Sequence, residues 1–168
     1  KLLSKYKVWI ISWWDYKQFQ KQVIPFLGED EKILSNLYIC PTCSTKMFLY
    51  KSWIWEKQYS LDFSNEEREK IIKTLNRAID ELNLKPSQTW WELVEDRWTQ
   101  ITYSALWQQA PLEAKEIWDP DFEVRKKIRE YIKDDLSEFN ILIGWATSID
   151  VTRAWVDKAY WVKKLSEV

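Results

Sequence analysis

A chain with two glycines in 168 residues has few places where its backbone can turn through left-handed φ without steric cost. Ordinary usage of about 7% would supply roughly 12. Tryptophan runs the other way, with 13 copies. Ten of these, Trp9, Trp13, Trp14, Trp53, Trp91, Trp98, Trp107, Trp145, Trp155 and Trp161, stand where a turn calls for glycine, whereas Trp55, Trp90 and Trp118 read as ordinary tryptophans. Returning the ten to glycine lifts its count from 2 to 12. UGA means glycine in some bacterial genetic codes and tryptophan in others, and a frame of the first kind decoded by the second table takes this form. The competing explanations are core packing and a sugar-stacking platform. Core tryptophans fall on periodic apolar positions, but Trp13-Trp14 lies between an apolar run and a polar helix start, and Trp155 and Trp161 flank Asp157-Lys158.

The length suits one domain or a small two-part unit. With 25 basic and 26 acidic side chains the net charge is −1. That balance offers no electrostatic footprint for nucleic acid or an anionic membrane, and no apolar run approaches the ~20 residues of a membrane span. The start, Lys1-Leu2-Leu3-Ser4-Lys5, has no signal-peptide h-region, so a cytoplasmic location is the default, and the absence of an initiating Met suggests a fragment or processed piece. Cys40-Pro-Thr-Cys43 is a single pair without histidine or a second pair, too few ligands for a zinc site, and reads as a structural turn. The chain has no histidine at all, which removes Ser-His-Asp and Cys-His catalysis and leaves acid–base work to Asp, Glu, Lys or Tyr.

Residues 6–12 read as a buried strand, followed by a helix over 15–27 with Tyr16, Phe19, Val23 and Phe26 at helical spacing. Two short strands, 36–41 and 45–50, flank the cysteine turn. Ser64-Asn-Glu-Glu67 is a capping box opening a long helix whose apolar face is Ile71, Ile72, Leu75, Ala78, Ile79 and Leu82. Residues 91–97 and 99–104 alternate as paired strands around Trp98. Asp119-Pro120 reads as an N-cap with proline at the first helical position, opening a helix to about 134. Strands at 139–144 and 148–152 and a last helix at 157–166 complete the order. The fold class predicted is α/β, with a partial Rossmann-like core over 1–62, an inserted α+β cap built from an αββ repeat over 63–152, and a return to the core over 153–168.

With glycine at the ten positions three motifs emerge. Ser12-Trp13-Trp14-Asp15 reads Ser-Gly-Gly-Asp after a strand. Residues 91–111 read as two strands around a glycine turn. Gly144-Trp145-Ala-Thr-Ser148-Ile-Asp150-Val-Thr reads Gly-Gly-Ala-Thr-Ser-Ile-Asp-Val-Thr, followed by Trp155-Val-Asp157-Lys158 as Gly-Val-Asp-Lys. This pattern resembles the haloacid dehalogenase superfamily, and within it the phosphomannomutase-like branch of hydrolases carrying the αββ cap, over essentially the whole chain.

The resemblance implies a magnesium-dependent sugar-phosphate phosphatase or phosphohexomutase that works through an aspartyl-phosphate. Ser12 matches the hydroxyl residue that binds the transferring phosphoryl group, and Lys158 the core lysine that offsets phosphate charge; these are the catalytic candidates. Arg97 matches a cap arginine that grips the non-reacting phosphate, for which a planar fork of donors is suited. Ser148 and Asp150 match cap positions that contact phosphate and sugar hydroxyls, and alternation puts both on one strand face. The expected partner is a small sugar phosphate, with no nucleic acid and no membrane, and a homodimer is left open. Two departures stand out. The Asp-x-Asp nucleophile of the first core strand and the acidic motif that completes the Mg²⁺ site have no counterpart here, so no metal ligand is assigned and the chain is expected to be inactive. The one Asp-x-Asp, Asp119-Pro-Asp121, follows polar sequence and reads as a helix cap. Gln108-Gln109 stands where some phosphomannomutases place an arginine, a departure that counts against mutase activity and leaves phosphatase activity open. The rivals are a non-catalytic carbohydrate-binding module using exposed tryptophans, and another capped phosphatase of the sucrose- or trehalose-phosphate type.

Overall fold

A computed structural model describes residues 1–85, 92–106, 110–144, 147–156, 160 and 163. The chain divides into two compact units, one formed by Lys1–Asp62 with Val156–Val168 and the other by Phe63–Trp155.

In the first unit, β1 (Val8–Ile11), β2 (Leu37–Cys40), β3 (Lys46–Lys51) and β4 (Ile54–Ser60) form a sheet in that order. β1 and β2 run parallel, with Val8 opposite Leu37 and Ile11 opposite Cys40, and the later pairs are antiparallel. The parallel pair needs a crossover, which α1 (Tyr16–Gln22), a 3₁₀ turn at Ile24–Phe26 and α2 (Glu31–Leu34) supply. The helix expected over 15–27 breaks early because Pro25 lacks the N–H that an α-helix needs there. Phe19, Leu37, Ile39 and Phe48 make the buried core, flanked by Val8, Ile10, Tyr16 and Trp55. The coil α3 (Pro41–Ser44) then turns the chain sharply, with Thr42, Cys43 and Ser44 all left-handed at φ 48°, 55° and 56°.

In the second unit, α4 (Asn65–Glu81) opens on both halves of the Ser64–Glu67 capping box. Then come β5 (Val94–Asp96), β6 (Ile101–Ser104), α5 (Leu112–Trp118), α6 (Glu123–Ile132), β7 (Phe139–Ile143) and β8 (Ser148–Arg153). The strands form one antiparallel sheet in the order β5-β6-β8-β7. Its two faces follow from alternation. Ile101, Tyr103, Ile141, Ile149 and Val151 point to one side and are buried with Ile71, Leu75, Ala78 and Ile79 of α4 and Ile128 and Ile132 of α6. The other side carries Glu95, Thr102, Ser104, Ser148, Asp150 and Thr152. The α6 helix begins later than its sequence suggests. Asp119 does cap it, accepting from the backbone N–H groups of Val124 and Arg125 at 3.0 and 3.1 Å, but Pro120 lies outside, and Phe122 takes left-handed φ 62° at the boundary.

The glycine-for-tryptophan expectation divides along physical lines. Trp13, Trp14, Trp53, Trp98 and Trp155 are exposed, between 42% and 66%, and each lies in a turn. Trp53 and Trp98 hold left-handed φ, 67° and 69°. Trp55 and Trp118, by contrast, pack against the two cores. Trp9 is a correction. It sits inside β1, half-buried and stacked on Tyr38 with ring centroids 4.4 Å apart, because that strand position tolerates a side chain. Trp91, Trp107, Trp145 and Trp161 lie outside the described residues.

Candidate functional sites

In the first unit β1 delivers Ser12 to a crowded turn. Its N–H extends the parallel ladder to the Cys40 carbonyl at 3.1 Å, its carbonyl accepts from Cys43 N–H at 2.9 Å, and Trp14 returns a carbonyl to Thr42 N–H at 2.8 Å. The left-handed coil after β2 is therefore stitched to the end of β1 by its own backbone. The Ser12 hydroxyl oxygen accepts from Trp14 N–H at 3.1 Å, a local turn bond. The following helix is only seven residues long. Asp15, at its N-cap, does not cap; its carboxylate meets Lys46 Nζ at 3.3 Å, and both side chains are largely buried. Sequence reading missed Lys46, because 31 residues separate the partners and strand pairing alone brings them together. Lys46 is thus a cation within the same turn region as Ser12, while Lys158 lies outside the described residues. Cys40 and Cys43 are buried thiols, and burial pushes the Cys40 thiol up to about 11, the opposite of what a reactive thiolate requires.

In the second unit three predicted residues share the polar face of the sheet. Pairing sets Ser104 opposite Ser148 and Thr102 opposite Asp150. Asp150 is 3% exposed and accepts from the Thr102 hydroxyl at 2.7 Å. Burial pushes its carboxyl above the usual range, offset in part by that hydroxyl and by the charge of Arg97. Arg97 is itself buried just past β5, with Nη2 on Glu95 Oε2 at 2.6 Å and Nη1 on Gln100 Oε1 at 3.3 Å. Thr152, two residues beyond Asp150, is fully buried, and its hydroxyl has no hydrogen-bond partner among the described residues. Thr102 and Thr152 gave no signal in sequence beyond strand alternation.

Gly144 is why Ser148 and Asp150 can converge. A Cβ there would meet Ser148 Oγ at 2.1 Å and Asp150 Oδ2 at 2.9 Å, so only glycine leaves room for both. The result is a compact group of guanidinium, carboxyl and hydroxyls, suited to binding a polar, anionic small molecule.

The magnesium that the family resemblance implies for the whole enzyme finds no ligand set among the described residues. Mg²⁺ takes oxygen ligands, carboxylates above all. Among the described residues no group of three or more Asp, Glu, Cys or His gathers. Asp15 is engaged by Lys46, and Asp119, of the Asp-x-Asp pair, by Arg125.

No protein-family model matches the sequence, and no curated protein matches it. Solved structures do. The chain is similar to the C-terminal domain of Candida albicans trehalose-6-phosphate phosphatase, with TM-score 0.62, 18% identity, and coverage of 98% of this chain and 49% of that one. It is similar to Plasmodium falciparum IMP-nucleotidase, with TM-score 0.59, 14% identity, and coverage of 99% and 48%. The C-terminal domain of the Candida albicans trehalose synthase regulatory protein follows at TM-score 0.55, 12% identity, and coverage of 98% and 56%. The chain thus spans about half the length of the solved structures it matches. At these identities the similarity shows the fold alone: a mixed α/β architecture with two sheets and helices.

Proposed function

We propose that this chain is the cap and adjoining core of a sugar-phosphate phosphatase of the phosphomannomutase-like kind, with the cap sheet recognising the sugar phosphate. The observation that carries it is the Arg97, Asp150, Ser148 group on the polar face of β5-β6-β8-β7. A buried guanidinium matches the bidentate geometry of a phosphate, and the neighbouring carboxyl and hydroxyls match sugar hydroxyls. A dianionic phosphate would compete with Glu95 for Arg97 Nη2. The Ser12 turn would take the transferring phosphoryl group, with Lys46 nearby in that turn and Lys158 as the lysine the resemblance assigns.

In the whole enzyme an aspartate would attack phosphorus, the sugar oxygen would leave with a proton, and water would then cleave the aspartyl-phosphate. Charge stabilisation by cations is the main requirement of such a step. The described residues supply neither that aspartate nor a magnesium site, so no step is routed through either. Phosphatase names among the similar structures support the hydrolytic reading, and the trehalose-6-phosphate phosphatase domain keeps a disaccharide phosphate in view as the alternative substrate. The carbohydrate-binding module is the weaker reading, since the exposed tryptophans among the described residues occupy separate turns, after β1, between β3 and β4, between β5 and β6, and after β8. Calorimetric titration of the chain with mannose 6-phosphate, mannose and trehalose 6-phosphate tests the proposal. Binding of a phosphorylated sugar and not of free mannose is expected, and equal binding of mannose would overturn it.

A further inference from the structure

Arg125 does work that the proposed site does not explain. It is 1% exposed, and each of its three nitrogens donates: Nε to Asp119 Oδ2 at 2.8 Å, Nη2 to the Asp119 carbonyl at 2.6 Å, and Nη1 to the Gly144 carbonyl at 2.9 Å. Phe122 lies against the guanidinium at 4.4 Å from its ring centroid. Burying an ion pair is costly unless every donor is satisfied, and a leucine would fill such space more cheaply. What distinguishes this arrangement is its third bond. Nη1 reaches 19 residues along the chain to Gly144, the backbone position beside which Ser148 Oγ and Asp150 Oδ2 lie. Gly144 N–H in turn bonds the Ser148 carbonyl at 2.9 Å, closing the end of the β7–β8 pair.

We infer that Arg125 is a positioning residue: held by Asp119 at the start of α6, it fixes the Gly144 carbonyl and so sets the spacing of Ser148 and Asp150. Its importance to ligand binding rests on the proposed reading of those two residues as sugar-phosphate contacts. Its effect on Gly144 does not. Lysine keeps the charge but not the planar fork, so Arg125→Lys separates geometry from charge.

The test uses the full 168-residue chain and two readouts, amide hydrogen exchange by NMR and titration with mannose 6-phosphate. In Arg125→Lys, exchange at Gly144 N–H should quicken at least tenfold while the Ile101 and Tyr103 amides of β6 stay as they were, and the Kd for mannose 6-phosphate should rise by about the same factor. Unchanged exchange at Gly144 in the folded variant would overturn the inference. If the parent chain binds no mannose 6-phosphate, the functional reading fails while the exchange arm still decides the clamp. If Arg125→Lys does not melt cooperatively, the parent's own exchange decides: Gly144 protected like Ile149 and Val151 supports the clamp, and exchange at open-loop rates overturns it.

Discussion

Replacing Trp53 by glycine should stabilise this protein. The β3–β4 hairpin ends on the Lys51–Ile54 pair, leaving Ser52 and Trp53 as its two turn residues at φ 52° and 67°. Left-handed φ at both centres is the type I′ turn, whose second position strongly favours glycine. A side chain held there costs about 1–2 kcal/mol. Trp53 recovers little of that through packing, since it is 66% exposed. Glycine gives back roughly 0.5–1 kcal/mol through its freer unfolded chain, so Trp53→Gly should gain about 0.5–1 kcal/mol. For a unit of this size that is a rise in Tm of roughly 2–8 °C. Trp98→Gly should gain less. Its φ of 69° is as strained, but Arg68 stacks over its ring at 3.9 Å, a contact worth about 0.5–1 kcal/mol at an exposed site. Trp55→Gly is the control: Trp55 packs on the core and against Tyr50 at 5.2 Å, and its loss should cost about 1–3 kcal/mol. Scanning calorimetry is the assay, because tryptophan fluorescence would change with the mutation itself. A Trp53→Gly protein that melts at or below its parent refutes the steric reasoning.

Other outcomes follow from the same geometry. The coding DNA should carry UGA at Trp53 and Trp98 and UGG at Trp55 and Trp118; UGG at the first two ends the recoding account. Burial raises the Asp119 carboxyl, but the Arg125 guanidinium and two backbone N–H groups hold it below the usual range. A carboxylate with a lowered folded pKa adds stability above its unfolded value of about 3.9 and loses it as pH falls further. Urea melts of Asp119→Asn should therefore show a flatter pH dependence below about pH 4 than the parent, and identical slopes would contradict the ion pair. The chain should not hydrolyse p-nitrophenyl phosphate in the presence of Mg²⁺, since Asp119 of its Asp-x-Asp pair is bound to Arg125; steady turnover in a purified sample would show a nucleophile that the proposal lacks. Glu95→Gln should tighten phosphate binding severalfold by releasing Arg97 Nη2, and weaker binding would mean that Glu95 orients the guanidinium rather than competing for it.

What could be read from sequence was whatever local chemistry decides. The Ser64–Glu67 capping box forms both of its bonds, and the 3.6-residue spacing of Ile71, Leu75 and Ala78 places all three in the core. Alternation put Ser148 and Asp150 on one face of β8 beside Thr102. The failures lie where distant residues decide. β4 was missed because Trp55-Glu-Lys-Gln58 shows no clean alternation, and its pairing with β3 shifts register between Met47 and Phe48. The start of α6 was misplaced because Asp119 reaches five and six residues ahead to cap, beyond the span of an ordinary N-cap. Neither the Asp15–Lys46 pair nor the Arg125 bond to Gly144 has any local signature, since the first spans the crossover and β2 and the second runs from α6 to the end of β7.

The most direct test of the central proposal is a calorimetric titration of the chain and its Arg97→Ala variant with mannose 6-phosphate, each checked for a cooperative melt. A charged hydrogen bond is worth about 1.5–3 kcal/mol, so the variant should bind roughly 10- to 100-fold more weakly while remaining folded. A parent that binds no sugar phosphate, or a folded Arg97→Ala protein that binds it equally well, would contradict the account.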